Sequence, residues 1–356
     1  MKVHNFNAGP SILPHRAIQN TASAIVDLDG TGLSLLEISH RSPQFEKIIS
    51  QTEALLRELL DIPDNYHVMF LGGGASTQFC MVPFNLLRSK AAYVDTGAWS
   101  KKAIADAKLL GDIEVIASSS DKGYSYVPKD YTIPDDADYL HITTNNTICG
   151  TELHEDIDSP IPLVADMSSD ILSRPIDVSK YALIYGGAQK NMGPAGVSFV
   201  IARDEILGKV DRPIPAMLDY RTHAQNGSLY NTPPVAAIYT VNETLKWLKS
   251  VGGVYKIYQQ NVQKAKLLYD EIDRNSLLRG TAAKQDRSIM NVCFVMSKGH
   301  EDKEKKLTEY LAAHNMVGLV GHRSVGGFRA SIYNAMPVAS VKELVKCLKK
   351  FEKENT

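Results

Sequence analysis

Between residues 68 and 203 short apolar runs recur at 68–71, 91–94, 113–117, 139–143, 161–165, 181–185 and 197–202, separated by polar or helical stretches. Several of these runs lack a clean apolar–polar alternation, as expected of strands covered on both faces in a mainly parallel sheet. The pattern predicts a large α/β domain in which helices flank that sheet. After Pro233 and Pro234 the pattern becomes helical, and Val254, Ile257, Tyr258, Ala265, Leu268 and Ile272 fall on one face of a long helix that connects two domains. The remainder reads as a strand at 288–296, a helix at 302–315, short strands at 317–320 and 328–332, and a last helix whose apolar face carries Val341, Leu344, Val345, Leu348 and Phe351. Residues 15–253 are expected to form the large domain and 254–356 a smaller α+β domain, with segment 1–14 packing near the latter.

A length of 356 residues agrees with two cores rather than one. Thirty-nine basic against 40 acidic residues leave a formal net charge of −1, which gives no field for capturing nucleic acid or an anionic membrane, so any anion must be bound locally. Cys80, Cys149, Cys293 and Cys347 are widely spaced in apolar segments, so they read as reduced, buried core residues rather than as disulfides or metal ligands. No segment approaches the roughly 20 apolar residues of a membrane span, and residues 1–14 lack a leader pattern; a cytoplasmic protein is expected.

Candidate chemistry gathers where apolar runs end. Lys190 follows one such run within a glycine-rich stretch from Gly186 to Gly196, and Asp166 closes an earlier run 24 positions before it. Burial penalises an ammonium and so favours the neutral amine that attacks an aldehyde, while a carboxylate beside a pyridine nitrogen keeps that nitrogen protonated. Taken singly, Lys190 reads as a surface lysine and Asp166 as a helix cap; their joint placement at strand ends, with Gln189, is what points to pyridoxal phosphate chemistry. Gly72, Gly73, Gly74, Ala75, Ser76 and Thr77 link a strand to a helix and suit a phosphate cup, yet lack the endings of a nucleotide P-loop or a dinucleotide fingerprint. Trp99 and Thr147 sit at two further strand exits, where an indole can cover a flat ring and a hydroxyl can reach a phenolic oxygen. His40, Arg41, His322, Arg323 and Arg329 lie in loops punctuated by glycine or proline, which suits a doubly anionic small substrate. Asn231 and Thr232 precede a proline-started helix, for which capping is the ordinary use.

The runs Asn5-Phe6-Asn7-Ala8-Gly9-Pro10, Ile38-Ser39-His40-Arg41-Ser42, Ser173-Arg174-Pro175-Ile176-Asp177, Gly187-Ala188-Gln189-Lys190-Asn191, Asn231-Thr232-Pro233-Pro234, Gly321-His322-Arg323 and Arg329 through Ala335 occur in one order along the chain. Together they resemble the phosphoserine aminotransferase family, class V members of the fold-type I pyridoxal phosphate enzymes. The resemblance implies that Lys190 holds the cofactor, Asp166 meets its ring nitrogen, Trp99 stacks on it and Thr147 contacts its oxygen side. It further implies that Ala75, Ser76 and Gln189 hold the phosphate, joined by Asn231 and Thr232 of a second copy in a homodimer with shared sites. Arg329 would take the substrate α-carboxylate, and His40 and Arg41, with His322 and Arg323 of the second copy, the substrate phosphate. The implied substrates are L-glutamate and a phosphorylated 2-oxo acid. Two positions depart from some relatives: Ala75-Ser76 stands where an arginine-containing loop occurs, and Asn146 where glutamate is frequent. A cysteine desulfurase, an alanine:glyoxylate aminotransferase and a nucleotide-binding module are the competing readings.

Overall fold

The computed structural model describes residues 3–323 and 325–356. Its central sheet contains β1 (Tyr66–Leu71), β2 (Lys90–Asp95), β3 (Asp112–Ser118), β4 (Leu140–Thr143), β5 (Leu163–Asp166), β6 (Leu183–Gly187) and β7 (Ser198–Arg203). Their order is β1-β7-β6-β5-β4-β2-β3. Neighbours run parallel except at β7, which is antiparallel to both β1 and β6. The seven apolar runs of the sequence are these seven strands. One differs in environment: β3 occupies an edge and leaves Val115 exposed, so it is not covered on both faces.

Successive strand residues feed opposite layers, as a pleated backbone requires. Val68 and Phe70 join a core with α1 (His15–Val26), α2 (Pro43–Leu60) and α6 (Val235–Ser250), whereas Met69 and Leu71 pack with α3 (Gly74–Leu86) and α4 (Ala98–Ala107). Helix α2 shows why the sequence stops and starts where it does. Pro43 needs no N–H partner in the first turn, Ser42 Oγ accepts from Phe45 N at 3.3 Å, and Phe45, Ile49, Leu56 and Leu60 form the buried face. The helical region after Pro234 is two helices rather than one, because Gly252 and Gly253 adopt φ of +103° and +71° between α6 and α7 (Gly253–Arg274).

Helix α7 enters two cores. Val254 and Ile257 pack with the first layer, while Ala265, Leu268 and Ile272 pack with β8 (Leu278–Gly280), β9 (Asn291–Met296), α8 (Glu304–Ala313), β10 (Phe328–Ser331) and α9 (Val338–Asn355). Phe6 is buried in this second core, and His4–Asn5 pairs in parallel with Met316–Val317. The strand read at 288–296 begins later, at Asn291, because Ser288 Oγ accepts from Met290 N and Asn291 N and holds that stretch as a turn. Likewise the helix read at 302–315 is α8 preceded by a 3₁₀ turn at Glu301–Lys303, and Asn315 already has φ +59°. No helix among the described residues is long and apolar enough to cross a membrane.

Candidate active site

Six strands, β1 to β6, direct their carboxyl ends to one edge of the sheet, the edge at which open α/β sheets bind ligands. Register fixes the neighbours there: Leu71 and Gly187 both pair with Ser198, and Asp166 pairs with Thr143 and Tyr185. At this edge lies a cavity of about 140 Å³ lined by Gly74, Ala75, Ser76, Phe79, Trp99, Thr143, Asn145, Asp166, Ser168, Ser169, Gln189 and Lys190. The two catalytic candidates, Lys190 and Asp166, and four further cofactor candidates, Ala75, Ser76, Trp99 and Gln189, therefore share one enclosure.

Lys190 is buried, and its Nζ donates to Thr147 Oγ1 at 2.8 Å and to Ser169 Oγ at 2.5 Å. Burial pushes its amine down to about 8, a fall that Asp166 and Asp170 oppose and the Arg329 guanidinium assists. The main chain is pinned as well, since Ser11 Oγ donates to Lys190 O at 2.5 Å. Asp166 accepts from Ser168 N at 2.9 Å and Ser168 Oγ at 2.6 Å, so it caps a turn two residues on rather than a helix. Burial holds its carboxyl above the usual range despite those donors and Lys190, which marks a carboxylate short of a positive partner. A protonated ring nitrogen would be such a partner.

The glycine cup is open to an anion. Gly73, at φ +89°, turns the chain into α3, where a side chain would also strike Thr77, and no side chain caps the helix start. First-turn amides thus lie beside the cavity with the positive end of the helix. Half-buried Trp99 begins α4; Lys102 Nζ lies 4.7 Å from its ring centre, and its Nε1 has no hydrogen-bond partner. Arg329 donates to Thr147 O at 3.3 Å while its buried Nε lacks a partner, leaving donor capacity near Lys190. These residues fit pyridoxal phosphate: an amine for its aldehyde, an acid for its nitrogen, an indole for its face and a helix start for its phosphate.

Other candidates lie apart. Asn231 and Thr232 are exposed and line a second cavity, of about 310 Å³, with Gly72, Gly73 and Thr77 on the far side of the cup. Neither caps α6, whose start carries no side-chain cap. His40 is half-buried with its Nε2 unpartnered and Arg41 is exposed, as is Arg323; none of these, nor His322, lines the Lys190 cavity.

The class V aminotransferase family model matches residues 3–344. A phosphoserine aminotransferase of Azobacteroides pseudotrichonymphae genomovar. CFP2 is 60% identical over 353 residues, covering 99% of this chain and 98% of that protein. The chain belongs to the phosphoserine aminotransferase family of class V. Solved phosphoserine aminotransferases agree in fold. That of Bacillus circulans subsp. alkalophilus has a TM-score of 0.96 at 44% identity, covering 100% of this chain and 99% of its own. The one from Trichomonas vaginalis, described as PLP-bound, has a TM-score of 0.92 at 36% identity over 98% and 100%.

Several side chains of the aminotransferase site had no separate signal in the sequence. Ser168 and Ser169 look like turn residues after a strand, yet one serves Asp166 and the other Lys190. Asp170 is a second buried carboxyl, held above its ordinary range by burial, and Thr144 Oγ1 donates to it at 2.6 Å. The cysteine expectation needs one correction: Cys149, Cys293 and Cys347 are buried and free, but Cys80 is only half-buried, on the flank of α3.

Proposed function

We propose that the enzyme uses pyridoxal phosphate to move the amino group of L-glutamate to 3-phosphooxypyruvate, giving O-phospho-L-serine and 2-oxoglutarate for L-serine biosynthesis. The observation that carries this reading is the burial of Lys190 and Asp166 in one cavity at the sheet edge, beside the uncapped start of α3. When bound, the cofactor supplies the electron sink for the bond broken at the substrate α-carbon. The protein supplies the rest. Lys190 would hold the cofactor through its amine and, when that amine is free, would carry a proton to and from the substrate α-carbon. Asp166 stabilises the positive ring nitrogen, and Trp99 covers the ring. Thr147 meets its phenolic oxygen, and Ala75, Ser76 and Gln189 bind its phosphate.

Substrate is held at both ends. Arg329 has unspent donors beside Thr147 and takes the α-carboxylate, leaving the α-carbon near Lys190. His40 and Arg41, with His322 and Arg323 of a second copy, take the substrate phosphate, and Asn231 and Thr232 of that copy complete the cofactor phosphate site. The exposure of Asn231, Thr232 and Arg323, away from the Lys190 cavity, supports such a shared arrangement. A second phosphorylated substrate, 4-phosphooxy-L-threonine of pyridoxine biosynthesis, fits the same anchoring.

Turnover of O-phospho-L-serine, 4-phosphooxy-L-threonine and L-alanine with 2-oxoglutarate tests this reading. The phosphorylated substrates should exceed alanine by on the order of 10³, the value of two or three charge-assisted contacts. Equal rates with alanine would defeat the phosphate assignment, and full turnover by Lys190→Ala would defeat the amine assignment.

A further inference from the structure

Ser169 Oγ lies 2.5 Å from Lys190 Nζ, Thr147 Oγ1 lies 2.8 Å from it, and the two hydroxyl oxygens are 2.6 Å apart. Among the described residues no third acceptor bonds Nζ. We propose that Ser169 is a catalytic residue which, paired with Thr147, holds two of the Lys190 N–H bonds so that the third tetrahedral position of the amine points at the reacting carbon. The inference rests on the assignment of Lys190 above and adds a residue to it.

Hydrogen counting carries the argument. A neutral primary amine has two N–H bonds and one lone pair, and an ammonium has three N–H bonds. Two acceptors satisfy the neutral form completely and leave its lone pair free to take a proton. Burial, which lowers the Lys190 amine to about 8, increases the share of that form at neutral pH. Once the α-proton has moved to Nζ, with its electron pair taken up by the bound cofactor, the new N–H occupies the former lone-pair direction. The other two remain on the hydroxyls. The proton that arrived is then the one in position to leave, without rotation about the Cε–Nζ bond.

The cradle is held in place by the chain itself. Ser169 is buried, its carbonyl accepts from Asn191 Nδ2 at 3.3 Å, and Asn191 also donates to Ile171 O at 3.1 Å. The residue after Lys190 therefore fixes the loop that carries the hydroxyl. One O–H joins the two oxygens, so the pair orients itself. Preset acceptors of this kind save the reorganisation that a water shell would need at each proton transfer.

The test is a single turnover of the cofactor-bound enzyme with α-deuterated O-phospho-L-serine, reading by mass spectrometry the deuterium carried into the amine form of the cofactor. Free rotation among three N–H bonds dilutes the label, so Ser169→Ala should lower the recovered fraction at least about threefold relative to wild type. Its kcat should fall about tenfold while KM stays within about threefold. Ser169→Thr, which restores a hydroxyl, should recover both, and Ser169→Gly serves if the alanine variant does not fold. Equal deuterium recovery in wild type and variant, with the borohydride-trapped cofactor on the Lys190 peptide in both, overturns the role of Ser169 alone. Absence of trapped cofactor on that peptide in the wild type overturns the Lys190 assignment itself.

Discussion

Lys190 and Asp166 show how far single residues read from sequence alone. Each ends an apolar run, so its place at a strand end was legible; their shared burial, which sets their proton affinities, is a property of the fold. In the cofactor-free protein the Lys190 amine should titrate near 8, against 10.5 for an ordinary lysine, and pH-dependent labelling of its peptide measures this. Asp166→Asn removes a charge that raises that value, so the midpoint should move lower still. The same substitution should cut turnover by on the order of 10² or more, because the ring nitrogen loses its counter-charge, while a trapped cofactor adduct still forms. Ser169 was invisible at this scale. A serine after Asp166-Met167-Ser168 is an ordinary turn residue until folding sets it against Nζ.

At the scale of elements, the seven strands of the central sheet were legible to within two residues, because buried strands are apolar whichever way they run. The reversed direction of β7 had no local signal for the same reason. Helix α2 did carry one, in Ser42-Pro43 and the four-residue step from Phe45 to Ile49. Gly186 in β6 is needed for closeness rather than for its backbone angle: a β-carbon there would sit 2.7 Å from the Phe199 ring and 2.8 Å from Ser168 Cα. Gly186→Ala should cost about 1–3 kcal/mol in chemical denaturation and disturb the Asp166 turn through Ser168. Lys264 of α7 is buried and donates to Ile332 O at 2.8 Å and Tyr333 O at 2.7 Å, with burial lowering it to about 7. The unfolded chain then binds more protons between about 7 and 10.5, so this residue makes stability rise with pH across that window. Lys264→Met should flatten that part of the stability profile, as followed by urea titration at several pH values.

At the scale of the whole molecule, the least legible part is the role of Asn231 and Thr232, because within one chain they lie apart from the Lys190 cavity. If two copies complete each other's sites, two inactive chains should complement. Coexpressed Lys190→Ala and Asn231→Ala/Thr232→Ala chains should recover about a quarter of wild-type activity, since half the dimers are mixed and each holds one intact site. Mixtures that stay inactive, while each variant still assembles, would place the phosphate contacts within one chain. Two cores joined by α7 agree with the length and with the switch from strand-rich to helical patterning after Pro234.

Strand β7 sits between the glycine cup of β1 and the lysine of β6, pairing with both. A nascent chain that has emerged only as far as Lys190 therefore has both halves of the cavity but no backbone to hold them side by side. The two halves of the cavity are joined through the sheet only once Ser198–Arg203 has paired with both, so damage to that one reversed strand reaches the phosphate end and the amine end together.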